Sequence, residues 1–185
     1  MIKRTLAFAT VLYVAASAAN AVAVSDSARA FVEKRLAAVI TNPMIVDAIK
    51  AQNAKTKDLS QADIDALDQQ WRAGDASLID GVLANEVSGY LAGAVAEGQG
   101  AFSEIFVMDA RGLNVGQSAR TSDYWQGDEA KWQETFLAGA GSVHVSDVEE
   151  DESTQTFQVQ VSLPIVDGGA PIGAITIGVD VEYLE

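Results

Sequence analysis

Between Arg120 and Trp132 the chain gathers Arg120, Asp123, Tyr124, Trp125, Asp128, Lys131 and Trp132, although aromatic residues make up only 7% of the sequence. Such a mixture can line a pocket, with rings as apolar walls and a few convergent polar groups to orient a ligand. An arginine grips a carboxylate through paired N–H donors, a lysine adds a compact positive charge, and tyrosine or tryptophan gives one directed hydrogen bond. The ligand this chemistry selects is a small carboxylate. The competing reading packs Trp125 and Trp132 against a short helix and pairs Arg120 with Asp123 at the surface. His144, the single histidine, alternates with Val143 and Val145 on a strand pattern, so it shares a face with Ser146. If that face lines the cavity, His144 completes the ligand cage; otherwise it is an ordinary half-exposed strand residue.

Other chemistry is poorly served. There is no cysteine, which removes thiolate nucleophiles, thiolate metal sites and disulfides, and one histidine cannot build a multi-histidine centre. Gly116-Gln117-Ser118-Ala119-Arg120 lacks the second glycine of a nucleophile elbow. A hydrolase would need Ser118 to meet His144, and nothing in the sequence brings them together. We therefore assign no catalytic residue, no cofactor and no metal, and read the chain as a non-enzyme. The run Glu149 to Glu152 lacks the spaced oxygen ligands of a calcium loop and is expected to be a solvated hairpin tip. With 26 acidic against 12 basic residues, a net charge of −14 repels phosphate backbones, so nucleic acid is excluded as a partner.

The elements that must position these residues follow from periodicity. From Ser25 the apolar positions Ala28, Phe31, Val32, Leu36, Val39 and Ile40 recur at helical spacing and predict a long amphipathic helix. Asn42-Pro43 interrupts it, and proline in a first turn starts a second segment through Ile49. Ser60 opens another helix carrying Ile64, Leu67 and Trp71 on one face, ended by Gly74-Asp75. A further helix is predicted from Leu78 to Glu97. After Gly98-Gln99-Gly100, Ile105 to Met108 and Leu113 to Gly116 form a hairpin about the Asp109-Ala110-Arg111-Gly112 turn. A short helix over Asp128 to Leu137 precedes three strands, 142–148, 156–165 and 172–181. Helices followed by sequential strands define an α+β class with mostly antiparallel neighbours.

The amino terminus has a positive start at Lys3 and Arg4, an uncharged apolar run from Leu6 to Ala16, and small residues at Ala19 and Ala21. That is the pattern of a secretory signal peptide over residues 1–21, cleaved near 21–23, with one domain over 25–185. Retention as an uncleaved anchor is the alternative. The expected location is the periplasm.

Asn42-Pro43 with Ile49-Lys50-Ala51-Gln52-Asn53, the hairpin from Glu104 to Ser118, the segment Thr121-Ser122-Asp123-Tyr124-Trp125-Gln126-Gly127-Asp128-Glu129 and the closing strands from Pro164 to Val181 together resemble a single Cache domain. This is the extracytoplasmic PAS-like module of bacterial chemoreceptors and sensor kinases. The resemblance implies a long N-terminal helix packed on a five-stranded antiparallel sheet, with a small ligand bound on the other side beneath loops. Receptors of the family continue into a membrane helix and a signalling module. None follows Glu185 in this sequence, so the resemblance implies a free-standing form. Amino-acid sensors of the family carry an arginine shortly before an aromatic pair; Arg120 and Tyr124-Trp125 are similar in kind but differ in spacing and order.

The expected function is thus a periplasmic small-molecule-binding sensor for an organic acid or amino acid. Its expected site is Arg120, Asp123, Tyr124, Trp125, Lys131, Trp132 and His144. Signal transduction, as in chemotaxis, would pass through a separate membrane sensor kinase or chemoreceptor, with homodimerisation through the N-terminal helix. The alternative is a ligand-free structural or interaction protein of PAS-like fold.

Overall fold

The computed structural model describes residues 8–151 and 156–184, with side chains described over 22–150 and 156–184. The expected signal segment lies partly outside this range; from Phe8 onward it is continuous with helix α1 (Phe8–Arg35). Among the described residues no helix is long and apolar enough to cross a membrane.

Helix α1 breaks at Leu36 into the single turn α2 (Ala37–Ile40), and α3 (Pro43–Thr56) begins where expected. There Pro43 occupies the first turn and the Asn42 side chain accepts from Met44 N at 2.9 Å. It runs about two turns beyond the expected end at Ile49, which carries Gln52 and Asn53 to the hairpin. Helix α4 (Gln61–Arg72) opens with a capping box in which Ser60 and Asp63 satisfy each other's backbone amides. The Ser60 hydroxyl, and after it the Ser60 backbone amide, donate to the Asp63 carboxylate and hold it below its usual range.

The single helix expected from Leu78 to Glu97 is instead two, α5 (Ala76–Leu83) and α6 (Glu86–Glu97). Asn85 causes the break: its carbonyl oxygen accepts from Ser88 N at 2.9 Å, and its amide donates to Val115 O at 2.8 Å. A residue that caps so well competes with helix continuation.

The sheet comprises β1 (Phe102–Met108), β2 (Asn114–Gln117), β3 (His144–Val145), β4 (Glu149–Asp151), β5 (Thr156–Asp167) and β6 (Ala170–Asp180), all paired antiparallel. The order is β2-β1-β6-β5-β3, with β4 also on β5. β3 and β4 are two pieces of one interrupted outer strand, so six strands occupy the five positions of the expected sheet. Two expectations are corrected here. The strand 142–148 shortens to two paired residues, and Glu149 to Asp151 form a strand on β5 rather than a hairpin tip. A short helix α7 (Ala130–Gln133) lies between β2 and β3.

Period-two alternation sorts the strands into two faces. Ile105, Val107, Val115, Val159, Val161, Ile175 and Ile177 form the main core with Ala28, Val32, Leu36, Ile45, Ile49 and Leu91 of the helices. The other face carries Phe106, Met108 and Ala174 beneath Trp132 of α7. Two glycines allow close approach on the helical face. A Cβ on Gly173 would collide with the Met108 carbonyl oxygen, and one on Gly116 would come within 2.6 Å of Val87 Cγ1. The class is α+β, as expected, with the long helical layer on one face only.

Candidate functional site

The face opposite the helical layer carries a small cavity. Phe106, Thr176 and Ser162 lie in one cross-strand row, and His144 extends it on β3. One register step along, Glu104, Gly178 and Gln160 form the next row. Residues 121–129 arch over these rows and enclose a cavity of about 240 Å³. Its floor is Glu104, Phe106 and Gln160; its roof is Thr121, Ser122, Asp123, Gln126, Glu129 and Lys131.

Lys131 Nζ stands 5.5 Å above the Phe106 ring and pairs with Glu129 at 2.8 Å. Gln160 Nε2 donates to Glu104 Oε1 at 2.8 Å. Asp123 is held from outside the cavity, through Arg72 Nε at 2.9 Å. Arg72 also pairs with Asp68 at 2.8 Å, and Asp68 Oδ1 accepts the backbone amides of Tyr124 and Trp125 at 2.8 and 3.1 Å. Thus α4 fixes the roof from behind. Asn114 reinforces it, donating to Thr121 Oγ1 at 3.0 Å and to the Asp123 carbonyl at 3.1 Å. Behind the same roof, Asn114 Oδ1 and Gln117 Nε2 are buried without a hydrogen-bond partner among the described residues. Such atoms are costly unless water or a ligand reaches them.

Of the expected site residues, Asp123 and Lys131 line this cavity, and Arg120, Tyr124 and Trp125 turn elsewhere. The roof segment runs beside β2 as extended chain, with Leu113 bridged to Trp125 and Asn114 N donating to Tyr124 O. Neighbours in extended chain face opposite ways, so Asp123 looks into the cavity while Tyr124 stacks on Trp71, ring centres 5.6 Å apart, on the helical side. Arg120 donates to the Trp71 carbonyl and lies 5.5 Å over its ring. Trp125 Nε1 donates to Arg111 O at 2.8 Å. One hollow shared by Arg120, Tyr124, Trp125 and Lys131 does not form.

Trp132 stacks on Phe136 and donates to Asp109 O at 3.1 Å, so it braces the floor near Phe106. His144 lies on the same sheet face but outside this cavity, its Nδ1 2.9 Å from Glu134 Oε2. Ser118 and His144 sit on opposite edges of the sheet, and Ser118 Oγ accepts from Ile105 N. Asp180 caps the closing 3-10 turn, accepting from Glu182 N at 2.9 Å.

Glu104, Phe106, Gln126 and Gln160 were absent from the expected site. The alternation of Gln158, Gln160 and Ser162 against Val159 and Val161 signalled a polar sheet face, but period two alone does not say which face meets a ligand.

The described residues thus form an antiparallel sheet covered by the long helices on one face, with a small polar cavity under a braced loop on the other. No protein-family model matches the chain, and no curated protein matches its sequence. Solved structures similar to it are Cache-like sensor domains. The sensor domain of the V. cholerae histidine kinase DctB is 14% identical at a TM-score of 0.47, over 94% of this chain and 59% of that one. The ligand-binding domain of the Campylobacter jejuni chemoreceptor Tlp3, solved with 4-methylisoleucine, is 13% identical at 0.41, over 75% and 57%. That of the Pseudomonas aeruginosa PAO1 amino acid chemoreceptor PctC, solved with GABA, is 19% identical at 0.43, over 63% and 55%. The chain therefore spans between half and three fifths of the length of these three.

Proposed function

We propose that this chain is an exported sensor module that binds a small carboxylate between Phe106 and the 121–129 segment, and that the ligand is an amino acid. The observation that carries this reading is the charge pattern of the 240 Å³ cavity, where Lys131 stands among Glu104, Asp123 and Glu129. A simple organic acid would meet one cation and three carboxylates. A zwitterion meets both signs: its carboxylate takes Lys131 and the donors of Gln126, and its ammonium takes Glu104 or Asp123. The volume is below the roughly 300–1,000 Å³ of sites for drug-sized molecules, which suits one small metabolite.

In this reading residues 1–21 direct export to the periplasm and are removed near 21–23, leaving one domain over 25–185. The signal passes to a separate sensor kinase or chemoreceptor, and α1 supplies a dimer contact. Signalling requires that the ligand bind two states of the loop differently; the Arg72 link between Asp68 and Asp123 is the contact best placed to differ.

A second reading, a ligand-free interaction protein, draws support from the internal pairing of Lys131 with Glu129 and of Gln160 with Glu104. Calorimetry over the common amino acids and short organic acids separates the two. We expect saturable binding of at least one amino acid, weakened tenfold or more in Lys131→Met and unchanged in Arg120→Ala. A flat panel would support the ligand-free protein instead.

A further inference from the structure

A larger cavity, about 920 Å³, lies on the helical side of the sheet between α3, α5 and α6 and over Val115 of β2. Met44, Leu78, Val82 and Val87 give it apolar walls. Tyr124 and Gln52 supply its polar groups. Tyr124 is only 7% exposed and lines the cavity, where its phenol is placed to donate one hydrogen bond to a ligand. Gln52 spends its amide N–H donors on Asp109 Oδ2 and on the carbonyls of Leu113 and Asn114, so its own carbonyl oxygen remains to accept. Ser77 and Asn85 line it as well, so uncharged donors and acceptors stand beside the apolar wall. Asp47, Glu86 and Lys55 also line the cavity, two carboxylates against one ammonium, which disfavours an anion.

We infer that this helix-side cavity is a second binding site, separate from the one beneath the 121–129 segment, and that it takes an uncharged, mostly apolar small molecule bearing a hydroxyl or primary amide. The polar group of the ligand accepts from the Tyr124 hydroxyl and donates to Gln52 Oε1, while its hydrocarbon part displaces water from the Met44, Leu78, Val82 and Val87 wall.

Benzyl alcohol and benzoate, matched in size and ring but not in charge, test this with the full chain by titration calorimetry and ligand-observed NMR. Benzyl alcohol should bind saturably at millimolar concentration and benzoate at least tenfold more weakly. Tyr124→Phe should weaken benzyl alcohol about three- to tenfold, the loss of one neutral hydrogen bond. Gly81→Leu fills the cavity from α5, where a Cβ at this position meets open space and leucine favours the helix, so it should abolish binding without lowering the melting temperature. Lys131→Met should leave benzyl alcohol binding unchanged, which separates this site from the other. Equal binding of benzoate, no saturable binding, or undiminished binding in Gly81→Leu or Tyr124→Phe would each overturn the inference.

Discussion

Tyr124→Phe probes the environment of the roof segment through alkaline stability. Burial, with a smaller push from the Asp109 carboxylate, raises the Tyr124 phenol from 10.0 to about 12. Below pH 10 the phenol is protonated in both folded and unfolded chains and contributes no pH dependence. Between pH 10 and 12 the unfolded chain releases this proton and the folded one does not, so unfolding is favoured as pH rises. The rise is worth about 2.7 kcal/mol in full, of which about 2.3 kcal/mol is lost by pH 12, where the folded phenol is half ionised, a large part of the roughly 5–15 kcal/mol typical of a domain. Urea unfolding from pH 9 to 12 should therefore show the wild type falling more steeply than Tyr124→Phe, with the gap widening by about 2–3 kcal/mol. Ultraviolet difference absorbance on the folded protein should show one of the four tyrosines ionising late. Parallel curves for the two proteins, or a Tyr124 phenolate forming near pH 10 without unfolding, would refute the reasoning.

Other substitutions test the scaffold. Asp109 is fully buried and accepts from Gln52, Thr56 and the amides of Arg111 and Leu113, so Asp109→Ala should lower unfolding free energy by about 3–5 kcal/mol in chemical denaturation, and Asp109→Asn by less. Gly173→Ala, which forces β6 away from Met108 and Ile49, should cost about 2–4 kcal/mol by the same measurement, far more than Gly93→Ala in open space on α6. Arg120→Ala should reduce stability by about 1 kcal/mol through its contacts with Trp71 while leaving ligand affinity within twofold.

Much of the scaffold could be read from residue patterns because local chemistry decided it. Pro43 in a first turn, Ser60 as a cap, and the Asp109 to Gly112 turn between apolar runs each specify their own geometry. Asn85 was legible in principle as a cap, but the apolar period from Leu78 to Glu97 concealed it, and its amide partner Val115 is 30 residues away. The ligand face was harder. Clustering in sequence brought Arg120, Tyr124, Trp125 and Lys131 together, but extended chain sends neighbouring side chains to opposite sides, and the contact that claims Arg120 and Tyr124 is Trp71, some 50 residues earlier. Glu104 and Gln160 reach Lys131 only through strand order, which no local pattern encodes.

The central claim is that Lys131, Glu104 and Asp123 form one amino-acid site on the sheet face away from the helices. A crystal structure with the tightest-binding amino acid of the calorimetric panel tests it most directly. The account predicts density between Phe106 and the 121–129 segment, with the carboxylate at Lys131 Nζ and the ammonium at Glu104 or Asp123. Density beside Arg120 and Trp71, or on the helical side of the sheet, would contradict it.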